Sequence, residues 1–242
     1  MGAGAALLHI SAFSLYLYVI YFLHIQNATK GLTSEDKTIK TIAMFSGRYL
    51  TNWTYAIQEI YFFMCILQHL LSLLSANKIK DKLTKYSDYL FTSIATPMAL
   101  MVSIVFWAIF IFDRELIFPK VLDQVIPVWI NHCIHTFNSA IPIVDMFLVN
   151  HKFSTWSKAL QGILIYLLIY SLCIFGTYFQ TGLWLYPLFA ILTWPQRLLL
   201  SVGVFIVAAA MFGLTKIIHN IIWGNVSAMP EKSKKGSKHK RK

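Results

Sequence analysis

Hydrophobic positions in this chain gather into six long runs, Ala5 to His24, Tyr55 to Leu74, Tyr89 to Phe112, Val125 to Val149, Ala159 to Thr177 and Leu198 to Trp223. Each is near the ~20 residues a helix needs to cross a bilayer. Polar links fall at 26–48, 77–88, 113–124, 150–158 and 178–197, none long enough for a folded soluble domain. The pattern predicts an all-α, polytopic membrane helix bundle with six transmembrane helices over residues 1–230 and a basic, disordered cytoplasmic tail over 231–242. Any function then has to sit within the bundle.

Composition strengthens that reading. Apolar and aromatic residues make up 57% and charged residues 13%, against about 45–50% and about 25% in ordinary soluble proteins. A net charge of +11 suggests a nucleic-acid partner until it is located: Glu231 to Lys242 hold seven Lys/Arg and one Glu. Such a run beside a membrane points to anionic lipid headgroups, with no nucleic acid as partner. Lys238 and Lys240 also have the spacing of a dibasic retrieval signal of the endoplasmic reticulum. No Lys or Arg precedes Lys30, and the first run lacks a small-residue cleavage pattern, so it reads as a spanning helix. With the tail cytoplasmic, six helices put both termini and the loops of Lys78 to Lys85 and Lys152 to Lys158 on that side, as the positive-inside rule favours. The expected location is the endoplasmic reticulum or the plasma membrane. Cys65, Cys133 and Cys173 all lie in apolar segments and suggest no disulfide framework.

Polar groups inside the runs carry the chemistry, because a charge near mid-bilayer costs about 2.5–3.5 kcal/mol and needs a partner or a purpose. In the fourth run Asn131, His135, Asn138 and Asp145 fall within about 80° on a helical projection. His132 lies about 60° to the side of that stripe. In the second run Gln58 and His69 project within about 20° of each other, and Thr51 joins them if the helix starts near Arg48. Asn, Gln, His and Thr in spanning helices also serve simply to hydrogen-bond neighbours. His132 and His135 offer two imidazoles, but zinc needs a third ligand and Cys133 points away, so neither metal nor cofactor is expected.

The stretch from Phe112 to Lys120, reading FDRELIFPK, and that from Pro127 to Thr136, reading PVWINHCIHT, resemble the androgen-induced and androgen-dependent TFPI-regulating protein family. Tyr49-Leu50-Thr51 with Gln58 seven residues on, and Gly182-Leu183-Trp184-Leu185-Tyr186-Pro187, agree in order and spacing. The resemblance implies a multi-pass hydrolase of fatty acid esters of hydroxy fatty acids, with Thr51 as nucleophile and His135 as its base. Such an ester partitions into the bilayer and can enter laterally between helices. Asn131, Gln58 and Arg48 are candidate oxyanion donors, His132 and Asp145 supporting residues. Asp145 lies ten residues, about 15 Å, from His135, too far to be a direct third member of a triad. His135 also sits about 9 Å past the interfacial Trp129, so tilt or an irregular entry at Pro127 has to bring it level with Thr51. The alternative from another class is a non-catalytic membrane regulator or scaffold.

Overall fold

A computed structural model describes residues 2–227, so the tail over 231–242, with Lys238 and Lys240, lies outside the described residues. Ten α-helices follow one another among the described residues, without strands. They are α1 (Ala3–Gln26), α2 (Lys37–Met44), α3 (Leu50–Leu73), α4 (Asn77–Leu90), α5 (Thr96–Asp113), α6 (Val128–His132), α7 (Asn138–Leu148), α8 (Trp156–Thr181), α9 (Pro187–Ile191) and α10 (Trp194–Ser227). A π-turn at Phe91–Ala95 joins α4 to α5, and another at Cys133–Phe137 joins α6 to α7, so each pair continues as one rod.

Among the described residues five helical stretches are long and apolar enough to cross a membrane: Ala3–Gly31, Leu50–Leu73, Asn77–Leu116, Trp156–Thr181 and Trp194–Gly224. The chain is thus a multi-pass bundle, with five such spans where six were expected. The difference is the rod over 128–148. It packs on α1 and α5, but Asn131, His132, His135, Asn138 and Asp145 dilute its apolar character. A second departure is the polar link 77–88, which is helical. Its Lys78, Lys82 and Lys85 stay exposed, while Thr84 and Ser87 hydrogen-bond Gln68 of α3 at 2.9 Å each.

Two apolar clusters hold the rods together. Tyr16, Tyr55, Phe62, Ile130 and Met146 knit α1, α3 and the 128–148 rod, and Met98, Met101, Ile163 and Phe212 knit α5, α8 and α10. Close approach of α8 depends on Gly162, where an added Cβ would stand 2.5 Å from the Tyr89 hydroxyl. That use of a small residue is typical of helix contacts in lipid. Beyond the rods, α2 and the 114–124 turn roof one end of the bundle: Ile39, Phe118 and Leu122 pack on Phe106. The Asp36 carboxylate caps α2 by accepting from Thr38 and Ile39 N–H at 2.8 and 3.0 Å. The turn is closed by Arg114, which donates to Asp123 at 2.7 Å and to the Phe118 carbonyl at 3.1 Å.

At the opposite end Asp145, fully buried, gathers four elements. Its Oδ1 accepts from His9 of α1 at 2.7 Å, and its Oδ2 accepts from Tyr61 of α3 and, at 3.0 Å, from His151 in the loop before α8. His9 meets His69 at 3.0 Å, and His151 meets Asp88 of α4 at 3.0 Å. Both His151 nitrogens face carboxylate oxygens, so both carry protons. Burial opposes this charge, but the hydrogen bonds and charges of Asp145 and Asp88 outweigh it and hold His151 above the ordinary histidine value. Removing a carboxylate that satisfies three buried donors leaves them unpaired, so Asp145→Ala lowers stability by about 3–5 kcal/mol, read as a lost or strongly lowered melting transition in detergent. Because the fold binds the His151 proton more tightly than the unfolded chain does, its contribution is complete below about pH 6.5 and fades as pH rises through the elevated value. The melting temperature is therefore expected to fall as pH rises above about 6.5, and to do so less in His151→Gln.

Candidate active site

The roofed end brings together two residues far apart in sequence. Thr51 stands in the first turn of α3, which begins at Leu50, and His135 lies at the centre of the π-turn, at 5% exposure. The Thr51 hydroxyl is 3.3 Å from His135 Nε2, a reach typical of a nucleophile and base without bound substrate. The separation in depth suggested by Trp129 is absent for two reasons. The rod starts immediately after Pro127, and Leu50 and Thr51 at the start of α3 line one cavity with Ile42, Phe118 and Leu122 of the roof.

Asn131, one turn before His135, fixes the imidazole. His135 Nδ1 faces the Asn131 side-chain oxygen at 2.7 Å and its backbone carbonyl at 3.2 Å. Both are acceptors, so Nδ1 carries the proton and the Nε2 lone pair is turned to Thr51. Phe106 of α5 lies parallel to the ring, with centroids 3.4 Å apart and planes 3° from coincidence. Hydrogen bond and stack together leave the imidazole one orientation. The arrangement has the logic of a nucleophile, a base and an orienting amide.

Thr51 and His135 open onto a cavity of about 200 Å³. Its walls are apolar, built from α5, α8, α10 and the roof through side chains such as Met101, Val102, Leu122, Leu167 and Ile174. Two phenols from elements far apart in sequence, Tyr170 of α8 and Tyr186 before α9, also line it beside the start of α3.

The other residues singled out in the sequence are placed elsewhere. Gln58 is held between Tyr16, whose hydroxyl donates to it at 2.8 Å, and Asn138. Arg48 donates to Thr177 at 2.8 Å and lies over Phe45. His132 is exposed, bonded to Thr136 at 3.1 Å and stacked on Trp107. Asp145 belongs to the histidine cluster at the far end. Asn131, Gln58 and Arg48 do not line the cavity, so none of the three faces the place where an oxyanion would form. Among the described residues no group of three or more His, Cys, Asp or Glu could hold a metal ion.

Phe106, Tyr170 and the contacts of Tyr186 were not recognisable in sequence. Phe106 and Tyr170 are aromatics inside apolar runs, indistinguishable there from packing residues, and Tyr186 reads as part of an interfacial aromatic belt.

A family profile described as FAR-17a/AIG1-like protein matches residues 4–220. The human androgen-dependent TFPI-regulating protein is 33% identical over 193 residues, covering 78% of this chain and 81% of that protein. The human androgen-induced gene 1 protein is 30% identical over 197 residues, covering 78% and 83%. The androgen-dependent TFPI-regulating protein of Mesocricetus auratus is 27% identical over 217 residues, covering 89% and 91%. No solved structure matches the chain. With a match running from α1 into α10 and relatives aligned along most of their own length, the chain belongs to the FAR-17a/AIG1-like family.

Proposed function

We propose that this protein hydrolyses fatty acid esters of hydroxy fatty acids within the membrane, with Thr51 as nucleophile and His135 as general base. The observation that carries the reading is the 3.3 Å contact between the Thr51 hydroxyl and a His135 ring whose other nitrogen is tied to Asn131, at the wall of an apolar cavity.

In the first half-reaction His135 Nε2 takes the hydroxyl proton as Thr51 Oγ adds to the ester carbonyl carbon. The tetrahedral intermediate collapses by breaking the bond to the branch oxygen, which leaves as the hydroxyl of the hydroxy fatty acid after receiving that proton from His135. Water, deprotonated by the same nitrogen, then adds to the acyl-threonine. Its collapse releases the fatty acid and returns the proton to Thr51. Both arms of such an ester are long acyl chains, which fits the apolar walls and lateral entry from lipid. A metal or cofactor has no role in this scheme.

The two human relatives carry names that refer to androgen response and, for one, to regulation of TFPI. Carried to this chain, a regulatory role that follows hydrolysis depends on Thr51, whereas a scaffold role is indifferent to it. Counting the 128–148 rod as a sixth crossing, we further place both termini and the exposed lysines of α4 on the cytoplasmic side of the endoplasmic reticulum or plasma membrane, with the basic tail against anionic lipid. That placement rests on the distribution of Lys and Arg.

In membranes with matched expression, Thr51→Ala is expected to reduce cleavage of a branched fatty acid ester to background, and His135→Ala to lower it about 10²–10⁴-fold, the usual contribution of a general base. Asn131→Ala loses less than His135→Ala, because the Asn131 backbone carbonyl still faces Nδ1. Wild-type rates in Thr51→Ala would end the proposal.

A further inference from the structure

The proposed chemistry lacks one part. Attack on an ester carbonyl builds negative charge on its oxygen, and donors must already stand where that oxygen will be. The three side chains suggested by sequence are turned to Thr177, to Tyr16 and Asn138, and to His135.

Beside Thr51, however, is an arrangement with a donor to spare. The Leu50 N–H, first in α3, points between two phenol oxygens, Tyr170 at 3.1 Å and Tyr186 at 3.1 Å, and those oxygens are 3.0 Å from each other. Three atoms thus form a near-equilateral triangle one residue before the nucleophile. Along the phenol edge only one hydroxyl can donate to the other, and the Leu50 N–H supplies a proton to the pair rather than accepting one. Whichever way the pair is oriented, one phenolic O–H is left without an acceptor among the described residues. Both tyrosines line the cavity that holds Thr51 and His135. The next backbone donor is also free: Asn52 and Trp53 N–H turn back to the Tyr49 carbonyl at 3.0 and 3.2 Å, whereas the Thr51 N–H has no carbonyl before it.

We propose that the Tyr170–Tyr186 phenol pair and the Thr51 N–H form the oxyanion hole of this enzyme. The inference rests on Thr51 being the nucleophile. The spare phenolic O–H and the backbone N–H stabilise the carbonyl oxygen as it becomes an alkoxide, while His135 holds the hydroxyl proton of Thr51. The second phenol and the Leu50 N–H keep the donating phenol aimed. Tyr170 arrives from α8 and Tyr186 from the turn that follows Gly182, whose left-handed backbone, φ +72°, ends α8 and sends the chain back over the cavity.

Full-length protein in membranes tests this with one branched fatty acid ester as substrate. In Tyr170→Phe or Tyr186→Phe the remaining phenol still accepts from Leu50 and keeps its own O–H free, so each single variant is expected to retain kcat within about tenfold. The double variant loses both and should fall about 10²–10³-fold in kcat, the usual loss of an oxyanion donor, with KM little changed. A double variant of matched abundance that keeps wild-type kcat, or that changes KM alone, overturns the inference. Thr51→Ala measured alongside separates the two levels: activity lost there but kept in the double variant defeats the oxyanion assignment only, and activity kept in Thr51→Ala defeats the nucleophile as well. Should the double variant fail to reach the membrane, difluorotyrosine at position 186 serves instead. Its more acidic hydroxyl is expected to move the alkaline limb of the kcat profile to lower pH, and an unmoved limb overturns the inference.

Discussion

A polar side chain inside a membrane bundle has no water to fall back on and must find its partner on a neighbouring helix. The 128–148 rod carries this obligation in its bulkiest form, with the amides, imidazole and carboxylate of Asn131, His135, Asn138 and Asp145 buried along one stripe. Each partner it recruits fixes another element: Asp145 ties α1, α3 and the loop before α8, Asn138 ties α3 through Gln58, and His135 faces Thr51 at the start of α3. The stripe therefore sets both the assembly of the bundle and the place where a reactive pair can exist.

The two ends of the stripe differ in kind. Around Asp145 the carboxylate accepts from His9, Tyr61 and His151, and a protonated His151 sits between two carboxylates, a closed network suited to holding helices together. Around His135 the network is open: Nε2 faces only a hydroxyl, and that hydroxyl borders an apolar cavity. The π-turn adds to this difference. It falls where the rod changes from one task to the other and carries His135 at its centre, in keeping with the frequent occurrence of such turns at functional sites.

Much of this was legible in the sequence because lipid simplifies the code. The long apolar runs marked the rods, and the helical projection of Asn131, His135, Asn138 and Asp145 correctly put one stripe toward the interior. The projection gives the direction in which a residue faces but not the residue that meets it. Hence Asp145, read as a supporting residue too far from His135 to join it directly, is held by His9, Tyr61 and His151, and Gln58 and Arg48, read as candidate oxyanion donors, are turned to Tyr16 and Asn138 and to Thr177. The π-turn was invisible because nothing in CIHTF differs in composition from an α-helical segment, and the helical α4 was read as a link because its lysines conceal the Thr84 and Ser87 contacts to Gln68. Tyr170 and Phe106 carry no signal apart from their positions in three dimensions.

If hydrolysis proceeds through Thr51, a fluorophosphonate that labels the wild-type protein must form its bond at that hydroxyl. Mass spectrometry of the labelled protein locates the adduct without reference to any substrate. An adduct on the peptide containing Thr51, absent in His135→Ala, is the predicted result. Labelling at Cys133 or any other residue, or no labelling of a folded protein, would contradict a threonine nucleophile and leave the polar stripe as helix packing alone.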